Sequence, residues 1–349
     1  MRNGTFCCVI IALTFLSGIS NAAEKETPTA SWMTFKPWQE MGLAFSYYSL
    51  EYRPQATEKQ RFGLWFSANV NGTDSIIELQ GPDFSNLNRV PPQFDATIIR
   101  KYTEELNGRK TPIISRSSAT RLADGSVVVL ASIGPAYNSG KSELYPALFF
   151  KAKDSKKWQH LGAPSGEPQQ WLDKERAAKR KIRSDGGSII QLPDGRLRMY
   201  NQCFGARLSI AEAATVHGPW TILKDDQGKA IDARASLPGG AWLFPQVVPI
   251  AEHGYILTGG NTWPPTQIWA AVSTDGISFS VPQENGQARP MLLPTDVLAG
   301  AKSMKSLRLV YDPLGKRLFA VSNPWQAQHR DYPLLWSEAQ LDLSVFSAK

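Results

Sequence analysis

Asp185 closes the run Arg183-Ser184-Asp185, where a polar segment gives way to an apolar strand. Hydrolysis of a glycosidic bond takes two carboxyl groups, one as acid and one as base or nucleophile. Asp185 is the first candidate. Its partner would be Glu143, just ahead of the run Leu-Tyr-Pro-Ala-Leu-Phe-Phe, or Asp95, in Pro-Pro-Gln-Phe-Asp. Arg116 holds the comparable strand start in an earlier segment, as Arg116-Ser117-Ser118, and Lys305 does so in a later one. A guanidinium presents paired donors matched to a carboxylate or sulfate. Arg116 and Arg183, with Lys305 near, would therefore suit an anionic ligand; the same arginines could equally pair with Asp185 or Glu143. Asn261 with Trp263, and Asn323 with Trp325, recur in equivalent loops. An exposed indole there can stack on a sugar face, the alternative being apolar packing between sheets.

Other chemistries are poorly provided for. His160, His217, His253 and His329 show no metal-ligand spacing, and the first three fall among turn residues. There is no Gly-rich phosphate loop, Walker sequence or nucleophilic-serine elbow, so neither metal nor cofactor is expected. His329 sits beside Arg330, Asp331 and Tyr332. That group leaves a third chemistry open: removal of the C5 proton of a uronic acid by a His or Tyr, with an arginine on the carboxylate.

Residues so far apart can meet only if repeated elements bring them together, and the chain does repeat. A small polar residue, an apolar strand, a turn and a second strand recur from Ser118, Ser188, Gln246 and Ser306, at intervals of roughly 60 residues. Asp124-Gly125 and Asp194-Gly195 sit between alternating runs, the strongest short hairpin signal, expected here with both central residues at positive φ. A third strand follows each hairpin, and Arg61–Ala68 with Ser75–Gln80 fit an earlier copy. Five copies of a four-stranded meander predict an all-β fold, a five-bladed β-propeller of antiparallel blades. A β-sandwich is the competing reading. Only Gln170–Lys181 reads as helix, an insertion over about 168–183. The expected domain is a single propeller from 43 to 349, after an N-terminal segment at 23–42. In a propeller the starts of the innermost strands converge on the axis. They contribute Arg116, Arg183, Asp185, Trp242, Lys302 and Lys305, while the loops after the second strands add Tyr137, Asn138, Gln202 and Phe204.

The chain has 349 residues and a formal charge of +7, with 42% apolar and 20% charged residues. That composition excludes disorder. The basic excess is mild, with no dense Lys/Arg tract, so nucleic acid is not an expected partner. Arg2, the uncharged run Phe6–Ile19 and Ser20-Asn21-Ala22 read as an export signal cleaved after Ala22, which places the protein outside the cell or in the periplasm. No stretch is long enough for a stable membrane anchor. Cys7 and Cys8 would leave with the signal, so Cys203 remains alone without an internal disulfide.

Leu192-Pro-Asp-Gly-Arg-Leu, Gly218-Pro219-Trp220 and Ser273-Thr-Asp275-Gly276-Ile-Ser-Phe279 together resemble the blades of five-bladed propeller glycosidases. The likeness is to the arabinanase, xylosidase and invertase-like group, with sialidase-like propellers as a near relative because the Asp275 turn resembles a degenerate Asp-box. The resemblance implies a carbohydrate-active protein of glycoside hydrolase type, monomeric, acting on an oligo- or polysaccharide that the arginines would prefer anionic. In that group the innermost strand often opens on Arg-Asp-Pro or His-Asp-Pro. Here Arg116-Ser117-Ser118 and Trp242-Leu-Phe244-Pro245 carry no acid, and only Asp185 keeps one. A non-catalytic glycan-binding propeller and a polysaccharide lyase are the alternative functions.

Overall fold

The computed structural model describes residues 29–44, 47–70, 73–90, 113–134, 143–155, 157–234, 237–238, 240–325 and 333–347. Within them lies a five-bladed propeller. Blade I runs outward from the axis as Tyr48–Tyr52, Phe62–Val70, Thr73–Gly81 and Asn88–Val90. Blade II is Ile113–Arg121, Val127–Gly134, Tyr145–Lys151 and Gln159–Gly162, and blade III is Gly187–Gln191, Leu197–Asn201, Ser209–Ala213 and Thr221–Ile222. Blade IV is Leu243–Ile250, Gly254–Gly260 and Ile268–Ser273, extended by isolated bridges from Val272 to Ser280 and from Ile268 to Leu292. Blade V is Ser303–Asp312, Arg317–Trp325 and Pro333–Leu341.

The ring closes through the N-terminal residues. Met33–Phe35 and Gln39–Ala44 both pair antiparallel with Pro333–Leu341, covering the outer edge of blade V. The propeller therefore begins near Met33 rather than at 43, because the last blade needs strands from the other end of the chain. The helix spans Glu167–Ala177, with Pro168 in its first turn, so the inserted helix stands a few residues ahead of its expected place. No helix among the described residues is long and apolar enough to cross a membrane.

Each blade is apolar on both faces, which explains the unbroken run Val127-Val128-Val129-Leu130. Val127 and Val129 pack with Trp65 and Ile76 toward blade I, whereas Val128 and Leu130 pack with Ile189 and Met199 toward blade III. Ile190 and Val247 share the next interface, Val248 and Leu307 the one after, and Leu64 with Val321 the last. Successive strand residues thus serve opposite neighbours.

Side chains of the innermost strands tie each blade to the next, at four junctions innermost strand to innermost strand and at the fifth to the second strand of blade V. Ala119 N–H donates to Ser49 Oγ at 2.8 Å, Thr120 Oγ1 donates to Ile189 O at 2.6 Å, and Val247 N–H donates to Ser188 Oγ at 3.0 Å. Gln246 bonds Leu309 twice, Nε2 donating to its carbonyl and Oε1 accepting its N–H, and Tyr48 OH donates to Val321 O at 3.0 Å. Every blade junction has such a clamp.

The hairpin turns differ from expectation in one respect. Gly125 and Gly195 have φ of 86° and 87°, but Asp124 and Asp194 are not left-handed. Leu122 closes the turn by accepting from Gly125 and donating to Ser126, and Asp124 Oδ1 accepts from Ser126 N–H. This is the longer hairpin loop, with one left-handed glycine at a bulge.

Gln246→Leu should lower the unfolding free energy by about 2–3 kcal/mol, because both Leu309 backbone groups lose their partner inside the ring. Urea unfolding of the two proteins checks this; an unchanged midpoint would show that the clamp does not hold blades IV and V together.

Candidate functional site at the axial end

Three innermost strands carry the same irregularity at their starts. In blade II Ser115 pairs with Ser132 and Ser118 with Leu130, so Arg116 and Ser117 oppose one residue. In blade IV Phe244 and Pro245 do the same, and in blade V Lys305 and Ser306. A bulge re-aims a side chain out of the pleat. Arg116 and Phe244 sit at φ of 52° and 53°, a left-handed region that costs a non-glycine residue about 1–3 kcal/mol. In blade III, Gly186 at φ 103° follows Asp185, and a Cβ there would stand 3.4 Å from Arg116 Cβ. Glycine lets the two strand starts approach.

The three bulges and the strand starts of blades I and III bring one residue from every blade to the axis. Arg116 Nη2 lies 3.2 Å from Asp185 Oδ1, and Arg183 Nε donates to Asp185 Oδ2 at 2.8 Å. The Arg116 guanidinium stands over the rings of Tyr47 and Phe244, at 5.3 and 5.9 Å from their centroids. Lys305 Nζ lies 4.7 Å from the Tyr47 centroid and 5.1 Å from that of Trp263. Tyr47 meets Phe244 at 5.6 Å, and Phe244 meets Trp263 edge-on at 5.4 Å. Tyr47, Phe244 and Lys305 are buried, whereas Trp263 is 52% exposed and forms the open wall of the cluster.

Three cations share this space with Asp185, the one carboxylate among the described residues that pairs with Arg116 or Arg183. Burial and the neighbouring Arg116 charge push the Lys305 ammonium down to about 8. The ring faces around it recover part of the lost hydration. Cations held beneath an exposed indole can receive a negatively charged group while a sugar ring rests on Trp263. Among the described residues no group of three or more His, Cys, Asp or Glu side chains could hold a metal ion.

The expected site residues separate into three sets. Arg116, Arg183, Asp185, Lys305 and Trp263 come together. Glu143 does not join them through its described bond: its carboxylate accepts from Tyr145 OH at 2.6 Å. The two asparagines are taken up by the framework. Asn261 Oδ1 accepts the N–H groups of Thr262, Thr266 and Gln267, and buried Asn323 accepts Ser306 N–H, bracing the blade V bulge. Trp325 ends its strand, pairing with Ser303, and Trp242 is fully buried with its indole N–H on Pro238 O. Lys302 is exposed and its N–H donates to Trp325 O. Asp95, Tyr137, Asn138, His329, Arg330, Asp331 and Tyr332 lie outside the described residues. His160 belongs to a strand rather than a turn, and burial lowers its imidazole to about 4. Tyr47 and Phe244 were missed as site residues. Their positions are equivalent to Arg116 and Lys305, so extending the strand-start rule to all five copies finds them.

No protein-family model matches the chain, and no curated protein matches it. Its likeness to solved structures is one of fold. The five blades superpose on the native arabinanase of Bacillus subtilis with a TM-score of 0.57 at 10% identity, covering 87% of this chain and 96% of that one. A glycosyl hydrolase from Bacteroides ovatus gives 0.54 at 13% identity, over 84% and 83% of the two chains. An N-acetylgalactosamine deacetylase from F. plautii, solved with blood group B trisaccharide, gives 0.54 at 11% identity, over 90% and 97%. The chain thus has a glycoside hydrolase-like five-bladed propeller fold.

Lys305→Met supplies a check on the buried ammonium. Below about pH 8 both folded and unfolded chains carry the charge, and its burial opposes folding. Between about 8 and the ordinary 10.5 the unfolded chain binds the proton that the folded one has released, so stability rises with pH. The wild-type curve should gain on the Lys305→Met curve across that window in urea titrations. A difference independent of pH would mean that Lys305 titrates normally.

Proposed function

We propose that the chain is an exported carbohydrate-active protein that seats an anionic glycan at the axial end of its propeller. The observation that carries this reading is the cluster itself: Lys305 beside the half-exposed ring of Trp263, and Arg116 and Arg183 linked to it through Tyr47, Phe244 and Asp185. Aromatic stacking suits the apolar face of a sugar, and the cations suit a carboxylate or sulfate on it. The export signal ending at Ala22 would deliver the protein, as a monomer, to the extracellular or periplasmic space where such polymers occur. N-terminal sequencing of the protein recovered from that space should begin at Ala23; a chain still starting at Met1 would remove export from the proposal.

Hydrolysis of a glycosidic bond is the second reading, favoured by the fold likeness and by the place of Asp185 at an innermost strand start. The described cluster supplies one carboxyl group, whereas hydrolysis uses two. Glu143 or Asp95 would have to complete the pair. A lyase reading would draw on His329 and Tyr332 instead. Asp185 is already engaged by two guanidiniums, a position suited to bracing them, so recognition without cleavage is the reading the geometry favours.

Wild type, Trp263→Ala and Asp185→Asn, titrated with uronate-containing and sulfated oligosaccharides, separate these readings when reducing ends and ultraviolet absorbance are followed together. Trp263→Ala should weaken binding about tenfold, the loss of one stacked ring. Asp185→Asn removes a negative charge and should retain or tighten anion binding, at some cost in stability because both arginines lose their counter-charge. Reducing ends released by wild type and not by Asp185→Asn would establish the hydrolase. Binding untouched by Trp263→Ala would sink the axial site.

A further inference from the structure

A cavity of about 730 Å³ opens on blade III, between the inserted helix, the Arg183 strand start, the loop after the second strand and the segment Asp225–Asp232. Its size falls within the range of small-ligand pockets. Trp171 supplies a partly buried aromatic wall, its ring meeting Phe204 edge-on at 6.0 Å. Phe204 and Gly205 are both left-handed, at φ of 60° and 91°, and a Cβ at Gly205 would stand 3.4 Å from Trp171 Nε1. The loop is shaped to leave the indole edge uncovered.

The charges in this cavity are unequal. Its two acids already have partners: Asp225 Oδ1 accepts from Gln227 and Lys229 N–H, and Asp232 Oδ1 accepts from Leu208 and Arg234 N–H and pairs with the Arg234 guanidinium. Arg207 and Lys229 also line it, and neither forms an ion pair among the described residues. Gln202 Nε2 donates to Trp242 O at 3.2 Å, while its buried amide oxygen has no hydrogen-bond partner. An unsatisfied buried acceptor is costly unless a ligand hydroxyl or water reaches it. Arg183 belongs to both places, lining this cavity and pairing with Asp185 at the axis.

We propose that the blade III cavity is a second saccharide-binding pocket, joined to the axial site by Arg183, that takes a sugar bearing a carboxylate or a sulfate. Trp171 carries the ring, Gln202 accepts a hydroxyl, and Arg207 with Lys229 hold the anionic group. The pocket extends the axial reading to a glycan of several residues and rests on that reading for its polymer.

The test compares wild type, the double variant Arg207→Ala/Lys229→Ala and Trp263→Ala by calorimetry. The probes are alginate-derived uronate tetrasaccharides, sulfated carrageenan tetrasaccharides, and the monosaccharide of each. The double variant should bind tetrasaccharides about tenfold more weakly, with a shallower salt dependence, and leave monosaccharide binding at the axis unchanged. Loss for only one polymer identifies the group as carboxylate or as sulfate. Tetrasaccharide binding that Trp263→Ala weakens and the double variant does not would overturn the second pocket and leave the axial reading intact. The reverse pattern would keep this pocket and remove the axial one, and wild type that binds neither polymer overturns both.

Discussion

Five sheets around an axis must each bury two faces, yet their innermost strands cannot join one another by a backbone ladder. That constraint shapes both the sequence and the site. Apolar runs without alternation, such as Val127–Leu130, follow from having a neighbour on either side. The backbone groups facing the next blade are reached by side chains: Ser49, Thr120, Ser188, Gln246 and Tyr48 each serve one junction, and Thr258 and Arg308 add to that between blades IV and V. These clamps set the height of each strand against its neighbour. Because the heights are set, five strand starts arrive at one level, and side chains distant in the chain become partners.

The axial cluster departs from regular structure wherever it carries charge. Arg116 stands at a bulge in left-handed conformation, Lys305 at a second bulge, and Asp185 before a glycine whose φ of 103° L side chains rarely adopt. Such strain persists only where the surroundings over-determine it, and strain of this kind gathers at functional sites. Here the supports can be named. Asn323 braces the Lys305 bulge, Tyr47 packs against both cations and Phe244 against Arg116, and Asp185 offsets the arginines. A framework that existed only to close the ring would gain nothing from buried ammonium and guanidinium groups, since apolar residues of similar size fill such positions at lower cost.

Much of the architecture could be read from residue order, because repeats and hairpins are local. Asp124-Gly125 and Asp194-Gly195 mark the turns, although each turn is one residue longer than a two-residue loop and only its glycine is left-handed. The strand starts can be read from the repeat, and Arg116, Arg183, Asp185 and Lys305 stand at them. What order could not show was the bulge, a property of register between two strands, and so the aim of each side chain. Asn261 and Asn323 looked like ligand contacts because they follow strands in equivalent loops. They serve the backbone instead, since a sharp loop and a bulge each leave N–H groups that need an acceptor. Closure by Met33–Ala44 was hidden for a similar reason: pairing across the whole chain leaves no local pattern.

The scaffold and the cluster carry different information about function. The fold is shared with carbohydrate-cleaving enzymes at identities near one residue in ten, and at that distance a shared fold does not carry chemistry with it. The cluster belongs to this chain. Where hydrolysis would place two carboxyl groups across a bond, the five starts present Tyr47, Arg116, Asp185, Phe244 and Lys305, and the one acid is ion-paired on both sides. Among the described residues the cluster thus offers three cations and one carboxylate already held between two of them. An anionic group entering it would compete with Asp185 for Arg116 and Arg183, and each guanidinium it won would be bound more strongly than a neutral hydroxyl could bind it. Under the proposed reading, selectivity for charged over neutral sugars would rest on that competition, since a carboxylate or sulfate can replace the ion pair that Asp185 makes and a hydroxyl cannot.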